Sequence, residues 1–303
     1  MPAACLRGAG AEVHAIAPGH EAVVAIDTLV EDVHFAAQTR AVDVGFKAMA
    51  VNLSDLAAMA AEPLAARIAL TLPWDDGEHA RTWLEQFERG VALLARRHGV
   101  RAAAPACTRG HLSATVEAIG SVPRGTAMRR AGAAPGDLVA VTGTLGDAGL
   151  ALAPECAELE PEARRAVRTR LERPEPRIDA GLALRGLASA AIDVSDGLCA
   201  DLGHVLAASA VGAELDVECL PLSPVLADAV APPRAWSLAL ASGDDYELCF
   251  TIAPQRFAEA ETRLAAAGCP VTRIGRVVAG EGLIVRLADG RTFEAAGGYR
   301  HFC

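Results

Sequence analysis

The chain has 303 residues, a formal net charge of −10 and 52% hydrophobic residues. This composition supplies the apolar side chains of one large or two medium folded domains and excludes a disordered chain. The acidic balance argues against a nucleic-acid or membrane-surface partner, because both are polyanions. No apolar run is long enough to span a bilayer and the first residues show no signal-peptide pattern, so we expect a cytoplasmic protein.

The cysteines and lysines exclude two common kinds of site. The cysteines are scattered and include no Cys-x-x-Cys pair, so we expect neither a zinc site nor a disulfide framework, and we predict reduced structural thiols. Cys107 is set apart, and we interpret it as a passive replacement rather than a nucleophile. Lys47 is the only lysine, which excludes a phosphate-binding loop of the GxxxxGK[ST] type.

In the first half of the chain, apolar spacing predicts strands and helices in alternation. Strands are expected at 22–26, 66–72 and 112–122, and helices at 44–53, 56–61 and 83–98. Ser54 or Asp55 is a plausible N-cap of the helix at 56–61. A linker at 129–137 follows, rich in glycine, alanine and proline.

The second half shows the same alternation. Strands are expected at 138–142, 190–192, 247–252 and 271–278, and helices at 162–171, 198–209 and 255–267. We therefore predict an α/β (α+β) protein of two domains. The N-terminal domain, residues 1–135, would contain a mixed sheet, and the C-terminal α/β domain would cover residues 136–303.

Acidic residues recur where apolar segments end, beside small residues. They are Asp27, Asp55, Asp193 with Asp196, and Asp244 with Asp245. Carboxylates that converge repel each other unless a cation neutralises them, and Mg²⁺ prefers oxygen ligands while keeping waters and phosphates in its shell. A single Asp before a helix is usually only an N-cap. The paired carboxylates of Asp193-Val194-Ser195-Asp196-Gly197 and Ser242-Gly243-Asp244-Asp245-Tyr246 exceed what a cap needs, which favours a metal–phosphate site.

Several longer motifs follow one another from about residue 20 to the C-terminus. They are Asp27-Thr28-Leu29-Val30 with His34-Phe35, the run from Lys47 to Met59, Thr108-Arg109-Gly110, Arg130-Ala131-Gly132-Ala133, Val141-Thr142-Gly143-Thr144, Ile192 to Leu198, Gly243 to Leu248 and Gly298-Tyr299. In content and order these motifs resemble those of the thiamine-monophosphate kinase family. Ordered motifs over nearly the whole chain are a specific signal.

The resemblance implies a fold shared with aminoimidazole ribonucleotide synthetase and selenophosphate synthetase, and a homodimer in which the N-terminal domain forms a dimer barrel. It implies Mg²⁺-assisted phosphoryl transfer from ATP to thiamine monophosphate, in which Asp27, Asp55 and Asp196 are catalytic. Those three and Asp193 would bind metal. Arg130, Ser195, Thr108 and Arg109 would contact ATP, and His34, Asp244 and Tyr299 would contact thiamine monophosphate.

The chain also departs from the family pattern at four places, one of which is Ala25-Ile26, where the family has Ser-Thr. The family's opening Gly-Asp-Asp corresponds to Gly8-Ala9-Gly10-Ala11-Glu12, and its Gly-Gly-Asp-Thr-Thr-Arg corresponds to Ala104-Pro105-Ala106-Cys107-Thr108-Arg109. Asp244 stands where the family usually has Glu. Two alternatives therefore stay open, a non-catalytic thiamine-phosphate-binding homologue and an enzyme of the same fold that acts on another small molecule.

Overall fold

The protein is described by a computed structural model over residues 14–74, 77–294 and 297–299. It divides into two compact units, residues 1–56 with 61–125, and residues 57–60 with 126–303. Each unit is built around its own mixed sheet with helices. This confirms the predicted two-domain α/β class, while the exact boundary near residue 135 stays a prediction.

The first unit contains one mixed sheet and two long helices. Its elements are β1 (His20–Val30), α1 (Ala41–Ala58), β2 (Glu62–Leu72), α2 (Glu78–Arg97), β3 (Arg101–Ala102), β4 (Ala106–Arg109) and β5 (Ser113–Pro123). The strand order is β1-β5-β2-β3, and β4 also pairs with β2. β5 is antiparallel to β1 and β2, whereas β3 and β4 run parallel to β2.

The side chains of the edge strand β1 show that the two faces of this sheet differ. It pairs with β5 residue for residue, so successive side chains alternate strictly between the faces. Val23, Ala25 and Leu29 are buried on one face, the face on which α1 approaches Gly120 of β5. On the opposite face Val24 is 59% and Ile26 is 63% exposed. The open face therefore presents apolar side chains to solvent.

α1 and α2 touch through their backbones, and glycines make this possible. A Cβ atom at Gly90 of α2 would overlap the carbonyl of Val42, and one at Gly45 of α1 would overlap the carbonyl of Phe87. Helix axes can come this close only where side chains are absent at the crossing point.

One sequence-based prediction in this unit is wrong. α1 runs without a break through Ser54 and Asp55, so neither residue caps a second helix. The helix continues because its apolar positions on both sides of Ser54 are buried, and this packing outweighs the capping preference of Ser and Asp. Asp55 is therefore a carboxylate within α1, in the last turn of that helix.

The second unit contains a sheet of order β11-β8-β10-β6-β9-β7, in which only the β8–β11 pair is parallel among the described strands. Its strands are β6 (Leu138–Thr142), β7 (Ala190–Asp193), β8 (Gly212–Asp216), β9 (Leu248–Ile252), β10 (Val271–Val278) and β11 (Gly282–Arg286). Its helices are α3 (Asp147–Leu152), α4 (Pro161–Glu172), α5 (Ile178–Leu184), α6 (Leu198–Ser209), α7 (Pro224–Ala229), α8 (Pro232–Ala241) and α9 (Pro254–Ala266), with 3-10 turns at Pro154–Glu158 and Val217–Cys219.

The strands β6, β9 and β7 are almost completely buried and belong to the core of the second unit. Every residue of β7 and β9 is buried, as is nearly all of β6. β7 lies at the edge of the sheet and its last residue is Asp193. A fully buried strand thus delivers the first carboxylate of the acidic turn. In the described parts of the chain, no helix combines the length and apolar character of a membrane span.

The helix contact in the first unit gives a stability prediction. Replacing Gly90 with Ala should lower the free energy of unfolding by about 1–3 kcal/mol, because the new methyl group has no room beside the Val42 carbonyl. Gly203→Ala in α6 is the matched control, since a Cβ there meets nothing and Ala favours the helix. Melting temperatures of both variants test this. A Gly90→Ala protein as stable as the control would contradict the close helix contact.

Candidate functional site

The acidic turn after β7 is hydrogen-bonded through its backbone to the segment before β9. The amide of Asp244 donates to the Ser195 carbonyl and the amide of Tyr246 donates to the Val194 carbonyl, both at 2.8 Å. In return the amide of Val194 donates to the carbonyl of Glu247 at 2.8 Å. Two motifs about 50 residues apart in sequence are therefore neighbours, as strand pairing brings distant segments together.

A third segment joins this arrangement from the C-terminal end of the chain. The amide of Tyr299 donates to the carbonyl of Asp196 at 2.9 Å. A Cβ atom on Gly298 would overlap the same carbonyl, so only glycine permits this approach. The second unit thus brings together five of the predicted site residues: Asp193, Ser195, Asp196, Asp244 and Tyr299.

The segment around Asp244 has an unusual backbone conformation. Asp244 has φ +60° and Tyr246 has φ +51°, a region that costs a non-glycine residue roughly 1–2 kcal/mol. The Tyr246 hydroxyl donates to the Asp244 carboxylate at 3.1 Å. Such strain persists only where the surroundings enforce it, and it is concentrated at functional sites. The carboxylate of Asp244 is therefore held in one position.

Asp201 organises the acidic turn from the first turn of α6. Its Oδ2 atom accepts the backbone N–H groups of Ser195 and Asp196 at 3.0 Å and that of Gly197 at 3.1 Å. Burial, together with the charges of Asp193 and Asp196, raises the pKa of Asp201 to about 7, although the hydrogen bonds oppose the shift. The sequence analysis did not single out Asp201, because an acid in the first turn of a helix usually only complements the helix dipole.

The chemistry of the acidic turn fits a divalent cation. Asp193 is buried and Asp196 is half-buried, and both bring carboxylate oxygens, the ligands that Mg²⁺ prefers. The charges of these two carboxylates contribute to the raised pKa of Asp201. Within the described ranges, no three His, Cys, Asp or Glu side chains are already arranged around one metal position. Mg²⁺ needs no such cage, because one or two carboxylates and substrate phosphates complete its shell.

Arg130 does not approach the acidic turn through its backbone. Its carbonyl accepts a hydrogen bond from the hydroxyl of Ser209, the last residue of α6, whereas the acidic turn precedes the first residue of that helix. A helix of this length spans about 18 Å. The assignment of Arg130 to ATP therefore stays a prediction without support from the geometry of this unit.

In the first unit, Asp27 and Asp55 belong to two different elements. Asp27 lies near the end of β1, and its register with Val116 places it on the same face of the sheet as buried Val23 and Ala25. Asp55 lies near the end of α1, which approaches that face at Gly120. Both carboxylates are half-buried, which suits side chains that meet a ligand rather than the core.

Hydrogen bonds fix His34 in the turn after β1. Its Nδ1 atom accepts the backbone N–H of Val30 at 3.0 Å, so the neutral imidazole carries its proton on Nε2. Lys47 of α1, only 3% exposed, donates from Nζ to the His34 carbonyl at 3.2 Å. The sole lysine of the chain thus holds this turn against α1. The motif containing Lys47 was noted in the sequence, but no role was assigned to the residue.

Thr108 and Arg109 form the exposed end of β4, at the edge of the sheet, where they pair with Thr71 and Leu72 of β2.

Cys107 beside them is disulfide-bonded, which the sequence analysis did not predict. The prediction of reduced thiols is confirmed for the cysteines found free among the described residues, namely Cys156, Cys199, Cys219, Cys249 and Cys269. Residues 8–12, where the family's Gly-Asp-Asp would align, lie outside the described residues.

Behind the acidic turn lies an ionic network that the sequence did not reveal. The fully buried Glu247 accepts hydrogen bonds from the Thr142 hydroxyl at 2.7 Å, Arg177 Nε at 2.6 Å and Arg170 Nη2 at 2.9 Å. Asp245 accepts the Gly146 amide at 2.9 Å. These bonds attach the loop after β6 to the segment that carries Asp244. Thr142, Asp245 and Glu247 lie in quoted motifs, but only the folded chain brings them together with their partners.

Comparison with known proteins decides the family. The family model for the N-terminal domain of AIR synthase related proteins matches residues 8–122, and that for the C-terminal domain matches residues 134–288. Thiamine-monophosphate kinase from Salmonella typhimurium is 43% identical over 285 residues, covering 92% of this chain and 86% of that protein. The chain belongs to the thiamine-monophosphate kinase family. The enzyme of that name from Caulobacter vibrioides is 37% identical over 272 residues.

Solved structures of thiamine-monophosphate kinases agree with this. The crystal structure of the enzyme from Stenotrophomonas maltophilia K279a has a TM-score of 0.84 at 43% identity, covering 92% of this chain and 87% of that one. A structure described as AaThiL complexed with AMPPCP and TMP has a TM-score of 0.81 at 33% identity, covering 95% and 89%. The hydrogenase maturation protein HypE, at 18% identity and a TM-score of 0.70, shares the fold.

The ionic network of this kinase-family fold gives a pH prediction. Burial, and then Glu247 and Asp147, raise the pKa of Asp245 well above its ordinary value, so the folded state binds a proton that the unfolded state releases from about pH 4 upward. The contribution of Asp245 to stability therefore falls as pH rises above about 4. Asp245→Asn removes this titration and keeps an acceptor for Gly146.

Melting temperatures between pH 5 and pH 8 test this prediction. The difference between Asp245→Asn and the wild type should increase with pH in favour of the variant. Asp228→Asn, which removes an exposed carboxylate of α7, is the control and should follow the wild-type curve. Parallel curves for Asp245→Asn and the wild type would contradict the shifted pKa of Asp245.

Proposed function

We propose that this chain transfers the γ-phosphoryl group of ATP directly to the phosphate of thiamine monophosphate, giving thiamine diphosphate and ADP. The observation that carries the proposal is the likeness to a solved complex with AMPPCP and TMP, aligned over 95% of this chain. It is supported by relatives named thiamine-monophosphate kinase at up to 43% identity, of which the chain covers 86%. Direct transfer needs positioned groups and charge neutralisation rather than a covalent enzyme intermediate.

Mg²⁺ is the proposed cofactor, and Asp27, Asp55, Asp193 and Asp196 are the proposed metal-binding carboxylates. The ion, when bound, neutralises charge on the phosphate oxygens during transfer. Asp27, Asp55 and Asp196 are the proposed catalytic carboxylates. The half-buried position of these three supports the assignment, because such carboxylates reach a ligand yet keep a defined orientation.

The nucleotide and the acceptor are proposed to meet different side chains. Ser195, Thr108, Arg109 and Arg130 are the proposed ATP contacts. His34, Asp244 and Tyr299 are the proposed contacts of thiamine monophosphate. The His34 ring donates from Nε2, since its Nδ1 atom is already an acceptor, and an Nε2–H group suits a phosphate oxygen.

A kinase assay with ATP, Mg²⁺ and thiamine monophosphate tests the proposal, with thiamine diphosphate measured directly. The wild type should form the diphosphate. Asp196→Asn should lower kcat by about 10²-fold or more, because electrostatic stabilisation of the transferred group is a large part of such catalysis. Asp228→Asn is the control, a surface carboxylate of the same unit, and should retain full activity.

Two results would contradict kinase activity and point to the alternatives. Calorimetric binding of thiamine monophosphate without any turnover at high enzyme concentration would indicate a non-catalytic homologue. Neither turnover nor binding, together with binding of AMPPCP and Mg²⁺, would indicate an enzyme of this fold with another acceptor. Ala106 and Cys107 stand in the segment that supplies a metal ligand in the family. This replacement is the reason for testing both alternatives.

We propose further that two copies of the chain associate through the open face of the first unit, as the dimer barrel of this family implies. Val24 and Ile26 are apolar and largely exposed on an edge strand, and monomers seldom leave such strands uncovered. Ile119 of β5 lies opposite Val24 and continues the apolar surface. A cytoplasmic location, with no nucleic-acid or membrane partner, stays a prediction from the sequence.

Ile26→Lys tests the dimer. Ile26 lies opposite Glu117, so a lysine has a partner in the isolated sheet, whereas its burial between two copies is unfavourable. The variant should sediment as a folded monomer where the wild type is a dimer. Val33→Lys, at a residue equally exposed but outside the strand, is the control and should remain dimeric. A monomeric wild type or a dimeric Ile26→Lys protein would contradict this interface.

A further inference from the structure

The backbone of the acidic turn forms a site suited to an anion, and the chain fills that site itself. The N–H groups of Ser195, Asp196 and Gly197 converge on one oxygen, Oδ2 of Asp201, at 3.0, 3.0 and 3.1 Å. Successive amides that point to one position before a helix are a common phosphate-binding arrangement. Here the anion at their centre is a carboxylate of the same chain.

Asp201 is placed so that no external anion can share these amides. Its residue is only 3% exposed, and its side chain turns back over the N-terminus of its own helix α6. The first backbone hydrogen bond of that helix, from the Asp201 amide to the Gly197 carbonyl, fixes the residue at 3.0 Å. An N–H group carries one hydrogen, so amides that donate to Asp201 are not available to a phosphate.

We propose that Asp201 is a positioning residue that turns this segment from an anion site into a cation site. By occupying the three amides it keeps phosphate from binding the turn directly, and its charge adds to that of Asp193 and Asp196 in attracting Mg²⁺. A phosphate then reaches the turn only together with its cation. The inference rests on the proposed function for the identity of the substrate. The preference of the turn for a cation over an anion does not depend on that function.

The local geometry supports a positioning role rather than a general contribution to packing. The three amides that Asp201 holds belong to the same residues whose carbonyls bind the neighbouring segments: Ser195 accepts the amide of Asp244, and Asp196 accepts that of Tyr299. Both the amides and the carbonyls of the turn are therefore held by hydrogen bonds. Loss of Asp201 releases the amides while the carbonyls stay attached.

Two probes without nucleotide test the proposal, Mn²⁺ titrated by electron paramagnetic resonance and inorganic pyrophosphate titrated by calorimetry in EDTA. The wild type should bind Mn²⁺ and should not bind pyrophosphate without a metal. In Asp201→Ala the dissociation constant of Mn²⁺ should rise about tenfold, since one nearby charge is lost. The same variant should gain metal-free pyrophosphate binding, because its three amides are released.

Asp201→Asn removes the charge of the side chain but keeps its shape. It also serves as the test if Asp201→Ala does not fold. Its amide oxygen still accepts the three N–H groups, so Mn²⁺ binding should weaken while metal-free pyrophosphate binding stays absent. Asp228→Asn should match the wild type in both titrations. A purely structural role would lower the melting temperature of the Asp201 variants and leave both titrations of the folded protein unchanged.

The results that overturn the proposal are specific. They are a wild type that binds pyrophosphate in EDTA, a wild type that binds no Mn²⁺, or a folded Asp201→Asn protein with unchanged Mn²⁺ affinity. None of these measurements uses thiamine monophosphate or ATP. A failed kinase assay with both titrations as expected would therefore reject the proposed substrate and retain the role of Asp201.

Discussion

The candidate site of the second unit depends on the backbone hydrogen bonds between the acidic turn and the segment that precedes β9. These bonds join Val194 and Ser195 to Asp244, Tyr246 and Glu247. These bonds join backbone groups only. They fix the backbone positions of the acidic residues, and the side-chain torsions then set the orientation of the carboxylates. The positive φ angles of Asp244 and Tyr246 are sustained by the same bonds.

Part of the interior behind this backbone is charged, and this part tolerates little change. Glu247 is completely buried with Arg170 and Arg177 as partners, and removal of one partner of a buried ion pair leaves a charge that water cannot reach. Asp245 next to it is buried beside a backbone amide. The site is therefore supported by a polar layer whose members depend on one another, which makes it rigid and also sensitive to substitution.

The sequence predicted the architecture well, because buried strands and amphipathic helices follow spacing rules that act within a few residues. It predicted the grouping of Asp193, Ser195, Asp196, Asp244 and Tyr299 only through their motifs, since the contacts between them join residues far apart in the chain. It failed at Ser54 and Asp55, where burial of α1 outweighs a local capping preference. Asp201 and Glu247 could not be distinguished in advance from ordinary helix and strand acids, because their roles depend on partners that only folding supplies.

The strand β1 carries a proposed metal ligand on one face and the proposed dimer surface on the other. Asp27 and Ile26 are adjacent in sequence and point to opposite sides of the sheet. A slip of one residue against β5 would exchange them, placing a carboxylate on the exposed surface and a bulky apolar side chain where a metal ligand is expected. Eleven consecutive pairs without a bulge exclude that slip. The alignment of two strands therefore determines both proposed roles of β1, and substitutions far from Asp27 could disturb it without touching any residue of the proposed site.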